Sequence, residues 1–144
     1  MHTTHTKLVQ QASDWMHTPA ITLNLNAPVS EALALMREHQ VRRLPIVLDT
    51  GELCGIITEG DIRGTYILQV AGLDPLVIAD ALKQLKVYEV IGERLIAVMP
   101  ESSLRDAAQL MIEHKIGGLP VVDNSGDVVG IITEIDIFRA FVAR

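Results

Sequence analysis

Residues 41–62, VRRLPIVLDTGELCGIITEGDI, and residues 116–137, IGGLPVVDNSGDVVGIITEIDI, decide the fold, because each reads as a β-hairpin running into a helix. In the first, an apolar strand Pro45–Leu48 turns through Asp49-Thr50-Gly51 into a second strand, Leu53–Thr58. In the second, Pro120–Val122 turns through Asn124-Ser125-Gly126 into Val128–Thr133. Pro45 and Pro120 are expected to start their strands, where a missing N–H is tolerated.

The likeness extends outward. A shift of 75 residues lays residues 11–63 over 86–138 without a gap, and 16 of the 36 positions in 28–63 are identical to their counterparts. The chain is therefore a duplicated unit. Upstream of each hairpin lie a short apolar strand (Ile21–Leu23, Ile96–Val98) and a helix with apolar residues at helical spacing (Ser30–Gln40, Leu104–Lys115). A second helix follows Thr58 and Thr133, so each half has the order β-α-β-β-α in an α+β (mixed α/β) fold.

The expected organisation is a flexible tail over 1–10, a first domain over 11–70, a helical linker over 71–85 and a second domain over 86–144. The linker is expected to bury an apolar face of Leu76, Val77, Ala81, Leu82 and Leu85.

Composition narrows the function. A net charge of −6 opposes a general nucleic-acid surface, which needs clustered Lys and Arg. Aromatic residues, at 3%, are too few for base-stacking platforms. Cys54 is the single cysteine, which excludes a disulfide framework. The opening MHTTHTKLVQQ lacks a signal-peptide core and no apolar run reaches membrane-spanning length, so the expected location is the cytoplasm. No P-loop, no nucleophile with an adjacent base and no metal-ligand set stands out, and the chain reads as a non-enzyme.

The two quoted stretches resemble the signature of CBS domains: a hydrophobic-Pro-hydrophobic strand, a turn with Gly and a G-h-h-T-x-x-D ending. The resemblance covers about residues 13–140. It implies a tandem pair related by pseudo-two-fold symmetry, a Bateman module, whose two clefts hold AMP, ADP, ATP or S-adenosylmethionine as a regulatory ligand. It also implies a homodimer and, since almost nothing is left over here for an effector domain, signalling to a separate effector protein. No cofactor is required. The acidic net charge favours AMP among the nucleotides. The competing reading is a ligand-free dimerisation scaffold.

Asp61 and Asp136 are the first candidates for ligand contact, because a carboxylate accepts hydrogen bonds from both ribose hydroxyls. Thr58 and Thr133, three residues earlier, are suited to ribose or phosphate at the start of a helix. The same T-x-x-D pattern also makes a helix capping box. Arg42 and Arg43 are candidate phosphate donors, and the second copy has Gly117 and Gly118 there, with Gly118 allowing close approach of a ligand. Ile21 and Ile96 are candidates for an apolar wall against adenine. His17, near the Ile21 edge, is a candidate phosphate contact, and its counterpart is Gly92.

Overall fold

The computed structural model describes residues 10–65, 74–92 and 95–143. Most of the tail assigned to 1–10, and residues 71–73 of the linker, lie outside the described residues. The elements run α1 (Ala12–Trp15), β1 (Leu23–Asn24), α2 (Val29–His39), β2 (Arg43–Val47), β3 (Leu53–Thr58), α3 (Glu59–Arg63), α4 (Pro75–Gln84), a 3₁₀ turn (Val87–Glu89), α5 (Leu104–His114), β4 (Gly118–Val122), β5 (Val128–Thr133) and α6 (Glu134–Val142).

Both hairpins form with the same register. Arg43 faces Thr58 and Gly118 faces Thr133, each ladder ending in a bulge before the turn. Gly51 and Gly126 turn the chain at φ 96° and 88°, a region that penalises any Cβ. The helices α2 and α5 stop where Gln40 and Lys115 adopt the left-handed conformation (φ 56° and 55°), one residue short of the ends expected from periodicity.

The prolines are placed differently from the sequence expectation. Pro45 and Pro120 are the central residues of β2 and β4, opposite Ile56 and Ile131. The Glu59 and Glu134 amides donate to the carbonyls of Arg42 and Gly117. Alternation along the ladder then makes the neighbours of each proline, not the proline itself, bond to the hairpin partner. The proline nitrogen faces the other edge, where it has no N–H to offer the first strand. Pairing there starts one residue later, Leu23 with Ile46 and Val98 with Val121. The first strands are consequently shorter than Ile21–Leu23 and Ile96–Val98 suggest: two residues in one half and a single bridge in the other.

The described residues fall into two compact units that cut across the sequence repeat. One unit is Ile21–Leu95; the other joins residues up to Ala20 with Ile96 onward. In the Ile21–Leu95 unit, Leu23, Val29, Met36, Leu44, Ile46, Ile57, Ile62 and Val87 make the core. The linker helix α4 packs on α2 in this unit, and the Leu85 carbonyl accepts the Val29 amide. Of its expected apolar face, Leu82 and Leu85 pack on the core, whereas Leu76 and Val77 are exposed. Pro75 opens α4 behind the Asp74 cap, whose side chain accepts the Leu76 amide.

In the other unit, Val98, Leu104, Met111, Leu119, Val121, Ile132 and Ala140 form the core with Ala12, and Trp15 and Met16 pack against it. The α1 segment is tied there by the Ala12 amide on Ser102, the Ser13 amide on Pro100 and the Leu104 amide on Gln10. Each unit thus takes the entry segment of one repeat and the hairpin of the other.

Candidate functional site

That exchange sorts the candidate residues. Ile21, Arg42, Arg43, Thr58 and Asp61 gather in the Ile21–Leu95 unit, together with Gly92. Ile96, Gly118, Thr133 and Asp136 gather in the other, together with His17. Ile21 and Ile96 each pack, half-buried, against their own unit's core.

Thr58 and Asp61 form a reciprocal capping box at the start of α3: the Thr58 amide donates to Asp61 Oδ2 and the Asp61 amide to Thr58 Oγ1, both at 3.0 Å. The capping role weighed from the sequence is therefore present. It uses one carboxylate oxygen; Asp61 Oδ1 has no partner among the described residues. At five residues, α3 is too short to add a helix dipole of any size. Arg42 is exposed, and Arg43 opens β2 directly across from Thr58.

The second copy engages both oxygens of its carboxylate. Asp136 Oδ2 accepts the Thr133 amide at 2.8 Å and the Thr133 hydroxyl at 3.1 Å. Asp136 Oδ1 lies 2.7 Å from His17 Nε2. The Asp136 side chain is 2% exposed and the imidazole 58% exposed, so a buried acid is covered by a histidine open to solvent. The His17 backbone is held by exchanged hydrogen bonds with Ile131, at 2.8 and 3.1 Å. His17, placed by sequence near the Ile21 edge, belongs instead to the unit of Asp136. Its partnership was missed because the two residues sit in different repeats and only the exchange of entry segments joins them.

Glycines in the hairpins make room for the entry segments. A Cβ on Gly130 would lie 2.7 Å from Met16 Sδ, and one on Gly55 would lie 2.8 Å from Ile91 Cδ1. Gly92, the counterpart of His17, has nothing within 4 Å of where its Cβ would be. Burial raises the pKa of the Cys54 thiol, which keeps it protonated and a poor nucleophile. Among the described residues no three His, Cys, Asp or Glu side chains cluster to hold a metal, and no helix is long and apolar enough to cross a membrane.

The duplicated hairpin, its Thr-x-x-Asp cap and its glycines coincide with matches to the CBS domain over residues 12–67 and 87–143. The chain belongs to the CBS domain family. It carries two CBS domains in tandem in a mixed α+β fold. It is 35% identical over 129 residues to the CBS domain-containing protein YhcV of Bacillus subtilis, covering 90% of this chain and 84% of that one. Among solved structures, this CBS pair resembles that of protein MJ0100 in complex with 5′-methylthioadenosine and S-adenosyl-L-methionine, with TM-score 0.73, 29% identity and coverage of 94% and 98%. It also resembles CBSX2 in complex with AMP, with TM-score 0.75, 28% identity and coverage of 93% and 97%. These CBS-pair relatives hold adenosine-containing ligands.

Proposed function

We propose that this CBS pair is a cytoplasmic regulatory module that binds an adenosine-containing ligand, AMP before ADP, ATP or S-adenosylmethionine, and reports it to an effector protein. The observation that carries the reading is the Asp61 carboxylate. It is oriented by Thr58 through one oxygen, and its other oxygen has no partner among the described residues. A ribose diol donates two hydrogen bonds and matches that acceptor. Arg43, opposite Thr58 at the start of β2, and Arg42 just before it supply guanidinium groups suited to phosphate. Relatives of the same architecture that hold AMP, 5′-methylthioadenosine and S-adenosylmethionine support this ligand class.

Such a module transmits a signal only if the ligand binds two states of the protein with different affinity. Self-association belongs to the same reading. Ile135, Phe138 and Val142 follow helical spacing along α6 and are 50%, 59% and 80% exposed, an apolar stripe suited to a second copy.

The test is calorimetric titration of nucleotide-free protein with AMP, ADP, ATP and S-adenosylmethionine, repeated on Asp61→Ala. Saturable binding should weaken about tenfold to a hundredfold in the variant, the equivalent of losing a hydrogen bond to a charged group worth about 1.5–3 kcal/mol. Arg42→Ala should weaken AMP more than adenosine. Absence of binding by all four compounds would leave a ligand-free scaffold as the function.

A further inference from the structure

The two Thr-x-x-Asp sites have the same acid at the same place, yet among the described residues one acid keeps an oxygen without a partner and the other is covered by a histidine of the chain itself. We propose that His17 is an internal competitor for the ligand: it latches the Asp136 carboxylate, so that a ribose is taken first at Asp61 and reaches Asp136 only when the imidazole is displaced. This rests on the reading of the two acids as ribose acceptors and deepens it, by ordering the sites.

Three observations carry the latch. The oxygen of Asp136 not used by Thr133 is the one that His17 occupies, 2.7 Å from Nε2. With two donors already on Oδ2 and the imidazole on Oδ1, one of the roughly four lone-pair sites of the carboxylate is left, too few for both hydroxyls of a ribose, so the contact and a ribose diol compete there. Second, the latch is movable. The His17 backbone is pinned by its bridge to Ile131, but its side chain is 58% exposed, so rotation about the side-chain bonds carries the ring into solvent without disturbing the strand contact. Third, the latch is absent from the equivalent place. Gly92 stands there, with open space around its Cβ position and no side chain to reach Asp61.

The physical consequence is a lowered apparent affinity at Asp136. A competitor that occupies the acceptor in all but a fraction of molecules raises the dissociation constant by the inverse of that fraction. A latch with roughly nine to ninety-nine closed molecules for each open one, an open fraction of roughly 0.1 to 0.01, weakens the site about tenfold to a hundredfold. The two sites then answer to different ligand concentrations, which gives one chain a graded response.

The test isolates each acid by titrating AMP, and in parallel S-adenosylmethionine, into the intact chain. In an Asp61→Asn background, where Asp136 is the remaining acid, adding His17→Ala should tighten binding about tenfold to a hundredfold. His17→Gly, which allows for any effect of the new methyl group, should do the same. In an Asp136→Asn background, Gly92→His should weaken the Asp61 site if the ring reaches that acid as His17 reaches Asp136. Circular dichroism confirms that each variant is folded. Unchanged or weaker binding on removing the imidazole, while the wild type still binds, overturns the latch and leaves the nucleotide reading intact. Absence of binding in the wild type and in every single variant overturns both.

Discussion

Gly130 lies directly beneath the Met16–His17 segment: a Cβ placed on it would sit 2.7 Å from Met16 Sδ and 3.0 Å from the His17 carbonyl oxygen. The entry segment of one repeat therefore packs on the hairpin of the other only because position 130 has no side chain.

Gly130→Ala should destabilise the protein by about 1–3 kcal/mol, the usual cost of forcing an extra methyl into a packed region. A backbone carbonyl is among the atoms in the way, and it is held in its bridge to Ile131. Gly55→Ala should cost less, because the closest atom its Cβ would meet is the far end of the Ile91 side chain, which can rotate. Urea unfolding of the two variants ranks them; equal losses would contradict the role given to the His17 carbonyl.

Asp136→Ala should cost more stability than Asp61→Ala. The first removes a buried carboxylate with three donors on it, for which a loss of about 1.5–3 kcal/mol is expected. The second removes half of a partly exposed capping box, worth about 1 kcal/mol. Denaturant midpoints, compared at unchanged slope, decide the order.

The turn of the β4–β5 hairpin should be acid-sensitive through Asp123. Partial desolvation pushes this carboxyl up, but hydrogen bonds with Asp127, Ser125 and Gly126 outweigh it and bring the pKa below its ordinary value. A folded-state pKa below the unfolded one means that the unfolded chain binds more protons in the interval between them. The stabilisation is complete above the ordinary carboxylate range and is lost as pH falls through the folded value. Asp123→Asn should accordingly be less stable at neutral pH and should flatten the acid limb of stability against pH; an acid limb of unchanged steepness would remove Asp123 as its source.

Phe138→Glu should leave the fold intact and shift the protein toward monomer. Phe138 is 59% exposed in the middle of the α6 stripe, so its own unit loses little packing. A charge at the centre of an apolar contact carries a desolvation cost on both sides of the interface. Sedimentation velocity across a concentration series reads the change, and an unchanged distribution would move self-association to another surface.

The hairpins were the most legible part of the chain. Alternating apolar residues and the turns at Gly51 and Gly126 are local signals, and β3 and β5 begin and end where those signals put them. Thr58 and Asp61 were legible for the same reason, since a capping box spans three residues and needs no distant partner. The prolines were misread because their effect depends on which edge of the strand they face, and that is set by pairing. Leu76 and Val77 were misread because an apolar run on a helix does not reveal which side is covered.

The duplication can be read directly from the order of the residues, and the β-hairpins and the pair of Thr-x-x-Asp turns follow from short-range sterics and hydrogen bonding within each copy. That the entry segment of each repeat packs on the hairpin of the other, and so that His17 closes over Asp136, emerges only in the folded chain. The difference lies in the range of the forces. Turn and helix signals act over a few residues, whereas the choice of which apolar segment covers which hairpin is made by packing around Gly55 and Gly130 between residues far apart along the chain.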